Sequence, residues 1–188
     1  MSEWPARLES QRLYLRPPTP ADAAVVNRGV RDSFEALNRF MEWAVQPPTL
    51  EESASFCATG RPAPVSGAAF PLLAFRRSDD ALIGGCGMAA CDLNVPSFEL
   101  GYWCVTALTG QGYITEAVVA QCRYLRESLG AERVELRMDE RNERSAAVAE
   151  RLGFTLEGTL HAQARDHHGE LRNTRVYALL AAQPLKVR

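Results

Sequence analysis

The apolar positions alternate between two-residue and helical spacing along the chain. RLYLRP, Arg12 to Pro17, alternates and stops at prolines, which predicts a first strand. PADAAVVNRGV then takes helical spacing with proline in its first turn. DSFEALNRFMEWA, Asp32 to Ala44, predicts a second, short helix. TLEESASFCATG predicts a third, because Thr49 stands three residues before Glu52, the spacing of a capping box. RPAPVSG, Arg61 to Gly67, predicts a loop.

After the loop the texture turns to strands. AAFPLLAFR and ALIGGCGMAACDL flank the turn RSDD, and SFELGYWCV, Ser97 to Val105, is rich in β-favouring and aromatic residues. LTGQGYITEAV, Leu108 to Val118, opens a helix that runs to about Leu129. RVELRM, Arg133 to Met138, alternates as a strand. NERSAAVAERLGF predicts a helix with Asn142 as N-cap and Gly153 as C-cap. TLEGTLHAQAR and LRNTRVYALL form a hairpin across DHHGE. No repeat or linker interrupts the chain. The pattern predicts one α+β domain over residues 1–188, with a mostly antiparallel sheet and one strand–loop–helix–strand crossover.

Composition narrows the function classes. The formal net charge of -2 argues against a protein that binds nucleic acid through a general basic footprint. The opening MSEWPARLES lacks a secretory pattern, and no apolar run approaches a membrane span, so a cytoplasmic protein with no membrane partner is expected. The five cysteines, Cys57, Cys86, Cys91, Cys104 and Cys122, include no C-x-x-C pair and read as buried thiols in a reducing compartment. The three histidines form no H-E-x-x-H, DHHG reads as a turn, and no metal site is expected.

The chemistry concentrates in LTGQGYITEAV. Gly110 and Gly112 strip side chains from a loop that launches a helix directly. The first N–H groups of a helix lack partners within it, and the helix dipole makes them an anion site suited to a diphosphate. Thr115 adds a hydroxyl. The competing reading is a tight turn with nothing bound. A Walker loop does not fit, because no lysine follows Gly112. A dinucleotide fingerprint does not fit either, since Thr115 stands where its third glycine belongs.

ELGYW (Glu99 to Trp103), TGQGYITEA (Thr109 to Ala117) and RVELRMDERNERSAAVAERLGF (Arg133 to Phe154), in this order, resemble the GNAT superfamily of acetyl-CoA-dependent N-acetyltransferases. The similarity is greatest to the branch of ribosomal-protein N-terminal (alanine/serine) acetyltransferases. It extends over nearly the whole chain, from RLYLRP through PPTLEES to the final hairpin. It implies a splayed, mostly antiparallel mixed sheet flanked by helices, with acetyl-CoA in the cleft between the two central strands. The family's diphosphate loop reads Q/R-x-x-G-x-G/A. Here Thr109 replaces the Gln or Arg, Gly112 keeps the central glycine, and Ile114 replaces the small last residue. Gly110, Gln111, Gly112, Tyr113, Ile114 and Thr115 are thus the implied diphosphate contacts. The resemblance also implies that main-chain groups of Trp103 and Val105 hold the pantetheine arm, with Asn142 and Ser145 beside it.

Acetyl transfer needs a base for an ammonium of pKa about 10, a donor to the developing oxyanion, and a partner for the departing thiolate. Glu99 is the candidate base, acting directly or through water; its competing reading is a solvated strand residue. Many superfamily members carry a tyrosine as general acid where this chain has Ala149. Ser145 lies one turn earlier on the same helix face and is the candidate donor to sulfur, though it also fits as a helix-start residue. Arg151 reads either as a phosphate neighbour or as solvated. Ala164 stands where some relatives carry a second acid, with Asp166 near the turn. Phe34, Phe40, Met41 and Trp43 are the candidate acceptor wall, or core, and Glu35, Glu42, Asp139 and Glu143 are candidates to attract a cationic amine, or are simply solvated. The expected partner is a primary amine, on a peptide N-terminus or a small molecule, with the chain a monomer or homodimer. An acyl-CoA-binding or sensing module and a phosphate-loop nucleotide enzyme are the rival readings.

Overall fold

The computed structural model describes residues 4–59 and 67–186. Its strands are β1 (Leu8–Glu9), β2 (Leu13–Arg16), β3 (Ala69–Arg76), β4 (Leu82–Asp92), β5 (Ser97–Cys104), β6 (Arg133–Asp139), β7 (Thr155–Arg165) and β8 (Leu171–Leu180). The helices are α1 (Ala23–Asp32), α2 (Phe34–Asn38), α3 (Leu50–Cys57), α4 (Tyr113–Leu129) and α5 (Glu143–Leu152). Among the described residues the strands form one eight-stranded sheet in the order β1-β2-β3-β4-β5-β6-β8-β7. Every neighbouring pair is antiparallel except β5 and β6, which α4 joins as the expected crossover.

Strand alternation divides the core between the two faces of the sheet. In β3, Phe70, Leu72 and Ala74 pack on one side with Ala117, Val118 and Cys122 of α4 and Ala146, Ala149 and Leu152 of α5. Leu73 and Phe75 pack on the other with Val26 and Val30 of α1, Leu37 of α2 and Cys57 of α3. Trp4 stacks on Phe70 at 5.0 Å between ring centroids and closes the larger core near β1.

Local signals set most boundaries. Thr49 and Glu52 complete their capping box: Glu52 N–H donates to Thr49 Oγ1 at 3.1 Å, and Thr49 N–H to Glu52 Oε2 at 2.7 Å. Asn142 caps α5 by accepting from Ser145 N–H at 3.2 Å, and Gly153 ends that helix in the left-handed region. The second helix is shorter than Asp32 to Ala44 and spans only Phe34–Asn38. The Asn38 amide donates to Ala44 O at 2.9 Å, which folds the following residues into turns instead of helix. Of the expected loop at Arg61 to Gly67, all but Gly67 lies outside the described residues.

The sheet opens at its centre. β5 and β6 pair from Ser97↔Arg133 to Leu100↔Leu136, and the pairing stops there. Beyond that point β5 stays on β4 through Cys104↔Gly84, while β6 stays on β8 through Asp139↔Thr174. The gap begins at Gly101. No described helix is long and apolar enough to cross a membrane.

Candidate active site

The gap widens into a cleft of about 1130 Å³ between the open end of β5, the start of α4 and the start of α5. Its wall includes Tyr102, Trp103, Gly110, Gly112, Tyr113, Ile114, Thr115, Asn142 and Ser145. Residues far apart in sequence therefore meet around one space. Val105 and Gln111, also implied as cofactor contacts, do not border it.

The glycine loop reaches the cleft in the expected form. Gly110 and Gly112 have φ of 75° and 79°, in the left-handed region where a side chain is strained. Glu116 N–H donates to Gly112 O at 3.0 Å and starts the α4 ladder, so the N–H groups of Tyr113, Ile114 and Thr115 have no acceptor within the helix. Ile114 turns toward the core and packs there half-buried. Its bulk at the loop's last position is thus absorbed inward.

A tie that sequence reasoning missed fixes this loop. Glu116 accepts from Ser10 Oγ, Arg12 N–H and Arg12 Nε, each at 2.7 Å. Arg12 also donates to Gln111 O at 3.1 Å and lays its guanidinium over the Tyr113 ring, 4.5 Å from the centroid. Burial works against the Glu116 carboxylate. The Arg12 N–H, the Ser10 hydroxyl and the Arg12 guanidinium outweigh it and hold the carboxyl below its ordinary value. Arg151 Nη1 donates to Thr115 Oγ1 at 3.1 Å, and the exposed Arg151 borders the cleft.

The main chain of β5 corrects the assignment of Trp103 and Val105. Val105 N–H donates to Ile83 O at 2.8 Å and is already committed to β4. In an antiparallel ladder successive residues alternate sides. With Gly85↔Trp103 and Gly84↔Cys104 in register, Trp103 also turns its main chain to β4, and Tyr102 and Cys104 turn theirs to the gap. The Trp103 indole lies over Gly85, where a β-carbon would stand 2.2 Å from its Nε1. Only glycine permits that approach.

Ser145 borders the cleft at the start of α5 and meets a partner not foreseen in the sequence. The Tyr102 hydroxyl lies 2.9 Å from Ser145 Oγ and 3.3 Å from Ser145 O. Burial pushes the Tyr102 phenol up to about 12, against the lowering effect of its hydrogen bond with Ser145. Ala149 is fully buried and faces the core. Cys104 borders the cleft as a neutral thiol, pushed up to about 11 by burial.

Glu99 is not on the cleft wall. It lies half-buried at the vertex of the gap, paired across the strands with Glu135, and shares a strand face with Trp103. Burial lifts its carboxyl above the ordinary value, Arg137 opposes the shift and Glu135 adds to it. Of the proposed acceptor wall, Phe40 and Met41 border the cleft, joined by Leu37. Phe34 and Trp43 do not; Trp43 stands 54% exposed with its ring edge-on to Trp103, centroids 6.3 Å apart. Three of the four candidate acids are engaged elsewhere: Asp139 with Arg141 at 2.7 Å, Glu143 with Arg175 at 3.1 Å and Glu42 with Arg172. Asp166 falls in the hairpin turn, accepting from His168 and Glu170 N–H, while Ala164 remains in β7.

Comparison with known proteins agrees with this geometry. A family model described as an acetyltransferase (GNAT) domain matches residues 12–155. A Bacillus subtilis (strain 168) protein named "Putative ribosomal N-acetyltransferase YdaF" is 36% identical over 88 residues, which cover 47% of this chain and 46% of that one. The match thus spans less than half the length of that relative. A solved T. thermophilus protein described as a "putative acetyltransferase" superposes with a TM-score of 0.81 at 27% identity, covering 96% of this chain and 92% of the other. The microcin C7 self-immunity acetyltransferase MccE, solved with acetyl-CoA and AMP, superposes with a TM-score of 0.82 at 20% identity, covering 95% and 98%. At that identity the likeness speaks for the fold alone.

Proposed function

We propose that this chain, which belongs to the GNAT acetyltransferase family, transfers acetyl from acetyl-CoA to a primary amine by direct attack in a ternary complex. One observation carries the reading: the gap between β5 and β6 and the bare N-terminus of α4 open into the same cleft. The first offers unpaired strand groups to an amide-bearing arm, and the second offers N–H groups to a diphosphate. The cleft suits such a ligand in volume and charge, with Arg123, Arg144, Arg151 and Lys186 on its wall. The acetyl-CoA named in the MccE complex supports the same choice of donor.

In this reading Gly110, Gly112, Tyr113, Ile114 and Thr115 hold the diphosphate. The main-chain groups of Tyr102 and Cys104 pair with the pantetheine arm and supply the donor to the oxyanion. Ser145 Oγ–H donates to the sulfur as negative charge builds there. Glu99 takes the ammonium proton through water from the vertex of the gap, and its raised pKa suits a base working nearer neutrality. Acetyl-CoA supplies the activated acetyl group and leaves as the thiol, so no covalent enzyme intermediate and no nucleophilic cysteine is needed.

The acceptor amine sits beside Leu37, Phe40, Met41 and Trp103, on a peptide or protein N-terminus or on a small molecule. The YdaF name points to the first, a ribosomal protein. A mass-spectrometric acetylation screen with acetyl-CoA over N-terminal peptides and small amines tests the reading. Expected is a mass gain of one acetyl group on at least one amine, dependent on enzyme. Coenzyme A binding without transfer to any amine would leave a binding module instead.

A further inference from the structure

We propose that Tyr102 is a positioning residue for Ser145: its phenol donates to the serine oxygen and leaves the one serine hydrogen free to point into the cleft at the departing sulfur. The inference rests on the acetyl-transfer reading above and extends it to a residue that neither the sequence pattern nor the comparisons assign.

Hydrogen counting makes the case. A serine hydroxyl has one hydrogen and two acceptor sites, a phenol has one hydrogen, and a main-chain carbonyl only accepts. Tyr102 lies within reach of two acceptors on one residue, Ser145 Oγ at 2.9 Å and Ser145 O at 3.3 Å. If the phenol donates to the carbonyl, the serine hydrogen turns back to the phenol oxygen and is lost to the cleft. If the phenol donates to Oγ, the serine hydrogen is free. The Oγ contact is the shorter, and the carbonyl already belongs to the α5 ladder. Charge building on sulfur favours the second arrangement further, because a hydrogen bond to an ionised acceptor is about twice as strong as a neutral one.

The fold places Tyr102 for this task. It follows Gly101, where β5 has parted from β6, and strand alternation directs its side chain to the α4 and α5 side. Its burial keeps the phenol protonated, so it acts as a neutral donor throughout the working pH range. No proton leaves Tyr102. The thiolate departs with the electron pair of the broken carbon–sulfur bond, stabilised by Ser145, and takes its proton from solvent. Asn142 holds the serine from the other side through its main-chain N–H, so the hydroxyl rotor is the freedom left for Tyr102 to fix.

The test is steady-state kinetics on the full chain with acetyl-CoA and an amine found by the screen, comparing Tyr102→Phe, Ser145→Ala and the double variant. Tyr102→Phe should lower kcat about 2- to 12-fold, the range of one neutral hydrogen bond, and leave the KM for acetyl-CoA nearly unchanged. The double variant should be no slower than Ser145→Ala, since Tyr102 acts only through the serine. Losses that multiply in the double variant, an unchanged kcat for Tyr102→Phe, or an effect confined to KM would each overturn the inference. Tyr102→Met, similar in length and without the hydroxyl, carries the same comparison should Tyr102→Phe fail to fold. A wild-type chain inactive on every amine would defeat the acetyl-transfer reading itself. An active wild type with an unmoved Tyr102→Phe defeats only this inference.

Discussion

Gly112→Asp separates anion binding at the loop from the fold that carries the loop. Gly112 sits at φ 79° and ψ 2°, immediately before α4. A β-carbon in the left-handed region costs about 1–2 kcal/mol, and Asp and Asn accept that region better than most residues. No clash adds to the cost, because the nearest atom would be Arg12 Nη2 at 3.5 Å. An acid at a helix start also gains about 0.3–1 kcal/mol from the dipole. Fold stability should thus fall by only about 1 kcal/mol. Binding should fall far more. Two unit charges about 5 Å apart at an effective dielectric near 20 repel by about 3 kcal/mol, or roughly two decades in Kd. Gly112→Asn supplies the control, with equal bulk and backbone strain but no charge. Calorimetric titration with coenzyme A, alongside thermal midpoints, reads both effects. Gly112→Asn should bind within a few-fold of the parent, and Gly112→Asp about 100-fold more weakly, with the gap narrowing as salt rises. Equal affinity of the Asp and Asn variants would place the diphosphate elsewhere.

Two further substitutions test the proposed base and the loop anchor. Glu99→Gln should lower kcat by about 10²–10⁴-fold, as loss of a positioned base does. The wild-type acid limb should lie above the ordinary carboxylate value of 4.5, read from the pH dependence of kcat/KM. The same variant should raise the thermal midpoint at neutral pH. A carboxyl raised in the folded state loses stability as pH rises through its folded pKa, so this gain should vanish below 4.5. Glu116→Gln removes the charge from three hydrogen bonds, with Arg12 partly in solvent, and should cost about 1–2 kcal/mol in denaturant unfolding at pH 7. The Glu116 carboxyl is depressed in the folded state, so its contribution is full above 4.5 and disappears as pH falls through the folded value. A difference from the parent that persists at low pH would refute the charge as its source.

What the sequence revealed was local or periodic. The capping box at Thr49 and Glu52, the caps of α5 and the crossover through α4 each rest on residues within one turn or one strand of each other. The end of α2 was hidden because it depends on where the Asn38 amide finds a carbonyl six residues on. The anchor of the loop was hidden because Arg12 and Glu116 stand 104 positions apart and neither has an unusual neighbour. The Tyr102–Ser145 pair spans 43 positions and needs the sheet to open at Gly101 before the two can meet. The main-chain groups of β5 that face the gap, those of Tyr102 and Cys104 and not of Trp103 and Val105, were hidden for a related reason. A strand motif fixes the segment, but which main-chain groups face the gap depends on the register with β4.

The proposed Tyr102–Ser145 pair accounts for the absence of a phenol at position 149. Ala149 is fully buried in the core between α5 and the sheet, where a tyrosine ring would overpack a site sized for one methyl group. A hydroxyl that serves the cleft must therefore come from a neighbouring position on the same helix face. Ser145, one turn earlier and half-buried on the cleft wall, meets that condition. A serine alone is a short rotor that spends its hydrogen on whatever acceptor is nearest. In the proposed arrangement the phenol arrives instead from β5, at the first cleft-facing position past the parting of the strands, and holds the serine by its oxygen. On that proposal two residues on two elements provide one directed donor, without enlarging a core that has no room at position 149.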